Sequence, residues 1–191
     1  QSPFLNFSNL KTDAELCNTG QIDLTFDYEG ITLVGIDMST DAGSSWINIA
    51  NQIPASDRHF LWTLERETYS DKPLSFRIYT IEDPLLGEQV DNVVLFDIPL
   101  LIEQSHSDVY CIGTEVSIGI VATGTQLQYQ WYRDGVIIPG ATKPYYYFPS
   151  IKYENTGIYH CVVSNPPDAE GNERCSSAMT DDIVVYVART T

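Results

Sequence analysis

Residues 154–163 read "ENTGIYHCVV". After Asn155-Thr156-Gly157 the run alternates. Tyr159, Cys161 and Val163 fall on one side of an extended strand, and Ile158, His160 and Val162 fall on the other. His160 is therefore expected to point outward beside an inward Cys161. Trp131, in "YQWYRDG" (129–135), stands thirty residues before Cys161 and eleven after Ile120. The same period recurs outward from here, at 116–120, 127–131, 145–148 and 183–187, and in the first half at 22–26, 46–49, 60–62, 76–79 and 93–96. No 3.6-residue pattern competes with it. Short alternating strands divided by turn residues predict an all-β chain of antiparallel sandwiches.

An internal repeat predicts two domains. "CNTGQIDLTF" from Cys17 aligns with "CIGTEVSIGI" from Cys111, an offset of 94 residues. That is about the size of one small sandwich. The expected division is 1–98 and 99–191, with Pro99 ending one strand and the next beginning at once. A junction this short predicts a stiff tandem.

The 191 residues carry 26 acidic and 10 basic side chains, a net charge of −16. Residues 1–98 hold −11 of this and residues 99–191 hold −5. Such a chain repels nucleic acid and anionic membranes, so neither is an expected partner. No apolar run approaches the length of a membrane span. A chain beginning at Gln1 is expected to be a processed end or a cut from a longer protein, and export is inferred on that basis.

The motifs of the second half resemble the immunoglobulin superfamily. "ENTGIYHCVV" is similar to the D-x-G-x-Y-x-C stretch of its corner and penultimate strand, with Asn155 where Asp is usual. The resemblance makes Tyr159 the corner tyrosine and Trp131 the central core residue, both structural. It also places Ile120 where the usual partner of Cys161 would stand, so the usual inter-sheet disulfide cannot form. A symmetric hairpin centred on Asp168 sets Cys161 opposite Cys175, which predicts a Cys161–Cys175 bridge. A Cys111–Cys175 pair stays open as the alternative. Cys17 is expected as a buried free thiol. "YQWYRDGVIIPGAT" and "TGIYHCVVSN" further resemble immunoglobulin-like repeats of Bacteroidetes surface and secreted proteins, among them adhesins and gliding-motility proteins.

The first half contains "STDAGSSW" (39–46), an S-x-D-x-G-x-x-W Asp-box. Its physics is that of a hairpin. Asp41 accepts backbone N–H groups, Gly43 supplies a backbone angle other residues resist, and Trp46 opens the return strand. With the surrounding "W-T" and "R-I" runs, this half resembles a fibronectin- or immunoglobulin-like sandwich. A sialidase propeller is excluded by size, since four or more blades do not fit. The six arginines are also split between the halves.

No catalytic constellation is predicted. His59, His106 and His160 fall in separate elements without triad or metal-ligand spacing. No cofactor is expected. Asp168, Glu170 and Glu173 share one loop and form a weak calcium candidate without an EF-hand pattern. In "KPYYYFPS" (143–150), alternation turns two of Tyr145, Tyr146, Tyr147 and Phe148 outward. Tyr145, Tyr146 and Tyr147 are the candidate ligand-binding residues, their exposed rings able to stack on a sugar or anchor a protein. The predicted function is non-catalytic adhesion, binding or spacing in an extracellular or cell-surface protein with further modules. Its expected ligand is a protein or a glycan. The alternative is a carbohydrate-binding accessory region of a secreted glycoside hydrolase.

Overall fold

Residues with period-two patterning form strands throughout the computed structural model, which describes residues 2–189. The chain divides into two units, Gln1–Asp97 and Ile98–Thr191.

The first unit contains β1 (Phe4–Phe7), β2 (Glu15–Asn18), β3 (Gln21–Glu29), β4 (Leu33–Ser39), β5 (Ile47–Pro54), β6 (His59–Thr63), β7 (Pro73–Thr80) and β8 (Gly87–Asp97). One sheet runs β1-β3-β6 and the other β2-β8-β7-β4-β5. Between the named strands described, only β2–β8 pairs in parallel. In β3 the inward set Ile22, Leu24 and Phe26 packs on Val34, Ile36 and Met38 of β4 and on Leu74, Phe76 and Ile78 of β7. Each such side chain contributes roughly 1.5–3 kcal/mol on burial. Asp97 ends β8 as a buried carboxylate. It accepts bonds from the Asn18 amide, the Ser70 hydroxyl and the Glu67 N–H, the last at 2.7 Å.

The second unit contains β9 (Leu100–Gln104), β10 (Asp108–Cys111), β11 (Val116–Thr123), β12 (Gln128–Arg133), β13 (Val136–Ile137), β14 (Tyr145–Phe148), β15 (Gly157–Ser164), β16 (Ala178–Met179) and β17 (Ile183–Ala188). Its sheets run β9-β11-β14 and β10-β17-β15-β12-β13, with β16 also on β15. The parallel pair is β10–β17. The two units thus share one frame. In each, the second strand lies parallel to the last, and the repeated cysteines Cys17 and Cys111 both sit in that second strand.

Trp131 is fully buried and faces Cys161 across β12 and β15. Its indole N–H donates to the Lys143 carbonyl at 2.9 Å. Its main chain bonds Ile138 and Ala141, so one residue anchors the whole 138–143 loop. The Tyr159 hydroxyl donates to the Asn155 carbonyl at 2.9 Å, tying β15 to the turn before it. Burial pushes this phenol up to about 12.

The expected Cys161–Cys175 bridge is not formed. Cys161 is a buried thiol and Cys111 an exposed one, whereas Cys17 and Cys175 are the disulfide-bonded cysteines. This also removes Cys111–Cys175 and corrects the free thiol expected at Cys17. The physical reason for the first correction is register. Val162 pairs Met179 and Val163 pairs Ala178, so the hairpin is not centred on Asp168. Thr180 stands opposite Cys161, donating its N–H to the Cys161 carbonyl at 3.0 Å and accepting the Cys161 N–H on its hydroxyl at 2.9 Å. Burial raises the Cys161 thiol to about 11.

Candidate ligand-binding surface

Strand alternation divides the four aromatic residues of β14. Tyr146 and Phe148 turn inward. Their rings lie edge to face at 4.9 Å, and both contact Tyr159. Tyr145 and Tyr147 turn outward and stay 47% and 46% exposed. Of the three candidate tyrosines, Tyr146 therefore belongs to the aromatic core, and Tyr145 and Tyr147 form the outer face.

Tyr145 flanks a trough of about 360 Å³ on that face. The floor is Gly119, directly opposite Tyr145 in the β11–β14 register. A Cβ at position 119 would sit 3.3 Å from the Pro144 carbonyl oxygen and 3.4 Å from the Tyr145 Cβ, crowding the strand and filling the floor. Glu103 and Val121 complete the walls. The Ser105 hydroxyl accepts the Gly119 N–H at 2.9 Å, holding β9 against the floor. The Lys143 ammonium lies 5.7 Å from the Tyr145 ring centroid. The Tyr147 hydroxyl is bonded to Glu115, which raises its pKa. A ring face, a carboxylate and a side-chain-free floor can take a flat polyhydroxylated ring or a side chain of another protein.

The Asp-box folds as a closed hairpin between β4 and β5. Asp41 accepts the Ser45 N–H at 2.8 Å, the Ser45 hydroxyl at 2.6 Å and the Ser39 hydroxyl at 2.7 Å. These bonds, led by the Ser45 hydroxyl, lower its carboxyl to about 2. Gly43 has φ +83° and gives its N–H to the Ser39 hydroxyl at 2.9 Å. The Ser39, Asp41 and Ser45 side chains of the box are thus turned on one another and on the hairpin backbone.

Trp46 leads away from the hairpin to a polar cluster that motif reading missed. The Arg77 guanidinium lies 4.4 Å from the Trp46 ring centroid and 5.5 Å from that of Tyr79. Arg77 grips Asp37, which is only 4% exposed. Asp37 also accepts the Asn48 amide at 2.8 Å and the Tyr79 hydroxyl at 3.2 Å. Burial, then Asp37, raises the Tyr79 pKa. The signal was available in principle: Asp37 and Arg77 alternate outward on their strands and are cross-strand partners. Sequence alone does not give that register.

Of the calcium candidates, the Asp168 and Glu173 carboxylates are engaged locally. Asp168 accepts the N–H groups of Asn172 at 2.7 Å and Glu170 at 3.1 Å, and the Asn172 bond leads the lowering of its pKa. Glu173 accepts the Ser177 N–H at 2.9 Å. Among the described residues no three His, Cys, Asp or Glu side chains gather as a metal site. Of the histidines, His160 stacks on Tyr132 with centroids 5.0 Å apart. His59 approaches Asp23 at 3.0 Å, a pair hidden by 36 residues of separation, with both side chains about half exposed. Among the described residues no helix is long and apolar enough to cross a membrane.

Residues 101–178 match the immunoglobulin domain. This immunoglobulin match lies within the second unit. Solved structures extend the likeness to both units. The N-terminal four immunoglobulin domains of Dscam1 isoform 6.9 align over 97% of this chain with a TM-score of 0.57 and 15% identity, and those of isoform 9.44 over 98% with 0.56 and 14%. The chain spans 46% of each of those structures. At such identities the likeness is one of fold: two immunoglobulin-like β-sandwiches in tandem. No curated protein matches the chain.

Proposed function

We propose that this chain is a non-catalytic binding and adhesion segment of a bacterial surface or secreted protein, presenting a ligand surface and spacing the other modules of a longer chain. The observation that carries this reading is the outer face of β14. Two large rings, Tyr145 and Tyr147, stay half exposed over a sheet whose neighbouring strand offers Gly119 in place of a side chain. Immunoglobulin-like sandwiches are commonly protein-binding modules. Disulfide-bonded Cys17 and Cys175 favour an oxidising compartment and support an extracellular location. The net charge of −16 supports partners other than nucleic acid.

The trough also favours a second reading, a carbohydrate-binding accessory region of a secreted glycoside hydrolase, because it joins the Tyr145 ring to the Glu103 carboxylate. A glycan and polysaccharide array, run with and without calcium, separates the two. Binding abolished by Tyr145→Ala and Tyr147→Ala identifies a saccharide ligand. Silence across the array, with affinity capture of a protein that the same variants lose, identifies a protein ligand. Capture or binding unaffected by both variants moves the ligand away from this face and sinks the reading.

A further inference from the structure

The backbone of β14 has a second property, independent of its side chains. β14 is the terminal strand of its sheet. Gly119 directs its N–H to the Ser105 hydroxyl at 2.9 Å and its carbonyl to the Ser105 N–H at 2.8 Å, so both groups face β9. Ile120, one residue on, donates to the Pro144 carbonyl at 2.9 Å and so faces the β14 side. In an antiparallel ladder such bonding alternates. Tyr146 and Phe148 therefore bond toward β11. The N–H and C=O groups of Tyr145 and Tyr147 point off the open edge, where none of them meets a partner among the described residues. Between the flanking Pro144 and Pro149, the strand Tyr145–Phe148 itself carries none of the usual edge defences: no charge, no proline and no bulge. A depression of about 350 Å³ runs beside it, walled by the 138–143 loop.

The two ends of this edge carry opposite charges. Lys143 stands at the Tyr145 end, over that ring, and Glu115 at the Tyr147 end, on that hydroxyl. We infer that β14 pairs edge to edge with β14 of a second copy of this chain, antiparallel and two-fold about Tyr146. In that register Tyr145 of each copy exchanges its backbone bonds with Tyr147 of the other. Lys143 of each copy then meets Glu115 of the other, so both ends are attractive. A parallel pairing would set like charges together and is disfavoured. The register is self-consistent, since Tyr146 at the two-fold axis already spends its backbone groups on β11. The inference needs no ligand on the Tyr145 face.

Sedimentation equilibrium over a wide concentration range, joined to amide exchange by NMR, tests it. The expected result is concentration-dependent dimerisation that slows exchange at the Tyr145 and Tyr147 amides. Lys143→Glu or Glu115→Lys alone should weaken the dimer roughly tenfold, each turning two attractions into repulsions. The double swap should restore it. The Lys143 side chain takes no part in holding its loop, so an unchanged melting temperature checks that Lys143→Glu is folded, and a single cooperative melt checks Glu115→Lys, which loses the bond to the Tyr147 hydroxyl. A dimer whose Tyr145 and Tyr147 amides still exchange freely, or a double swap that fails to rescue, overturns the inference. A monomer at every concentration overturns the second copy as occupant and leaves the edge to a strand of another protein.

Discussion

Arg77 donates both Nε and Nη2 to a single oxygen of Asp37, at 2.8 and 2.7 Å, while its guanidinium lies against the Trp46 ring. The Asp-box is thereby coupled to the sheet of the first unit. Trp46 leaves the hairpin and covers the ion pair that locks β4 to β7.

Arg77→Ala should destabilise the first unit by about 2–3 kcal/mol, below the full cost of breaking an interior pair because Arg77 keeps one side in water. The residual cost comes from Asp37, left desolvated with only Asn48 and Tyr79 as donors. Chemical denaturation of the chain, followed by tryptophan fluorescence, measures it. An effect under about 0.5 kcal/mol would mean that the cluster is no more than a surface pair.

Asp41 makes the hairpin acid-sensitive. Its folded carboxyl lies near 2 against an ordinary 3.8. The folded state therefore holds the charged form more strongly. The hairpin's support is complete above about pH 4 and is lost as pH falls toward 2. The protection factor of the Ser45 amide, which donates to this carboxylate, should fall across that window and stay constant above it.

At the alkaline end the signs reverse. Cys161 rises from 9.0 to about 11 and Tyr159 from 10.0 to about 12, both chiefly through burial. The unfolded chain releases these protons first. The stability of the second unit should hold up to about pH 9 and decline between 9 and 12. Tyr159→Phe should remove the upper part of that decline. It should also cost about 1–2 kcal/mol at neutral pH by orphaning the Asn155 carbonyl. Urea midpoints measured at several pH values report both effects.

Thiol chemistry checks the cysteine assignment directly. A water-soluble maleimide should label Cys111 in the native protein and reach Cys161 only in denaturant. Cys17 and Cys175 should react only after reduction. Peptide mass spectrometry reads all four positions. Native labelling of Cys175 would contradict the assignment.

The frame of each sandwich was legible because it rests on local regularities. Alternation in β3, β11, β15 and β17 matches the inward sets that the structure buries, and the Trp131 and Tyr159 motifs lie on those strands. Partner choice across an irregular connection was not legible. Residues 165–177 contain no strand, so their path, and not a symmetric turn, decides that Thr180 rather than Cys175 meets Cys161. Asp37 and Arg77 lie 40 residues apart for the same reason, since pattern gives the face of a strand but not its neighbour. On β14 the pattern fixed which tyrosines turn outward. The trough beside them needed the tertiary pairing of Tyr145 with a glycine.

The 138–143 loop is held to Trp131 and Gln130 through its own main-chain atoms: the N–H of Ile138 and the carbonyls of Ile138, Ala141 and Lys143. None of these bonds uses the side chain of Thr142 or Lys143. The scaffold therefore fixes where the loop runs without dictating what it displays. Thr142 and Lys143 can change their chemistry by single substitutions at little risk to the core, which makes them the natural place on this unit for recognition to diverge in evolution or to be rewritten by grafting.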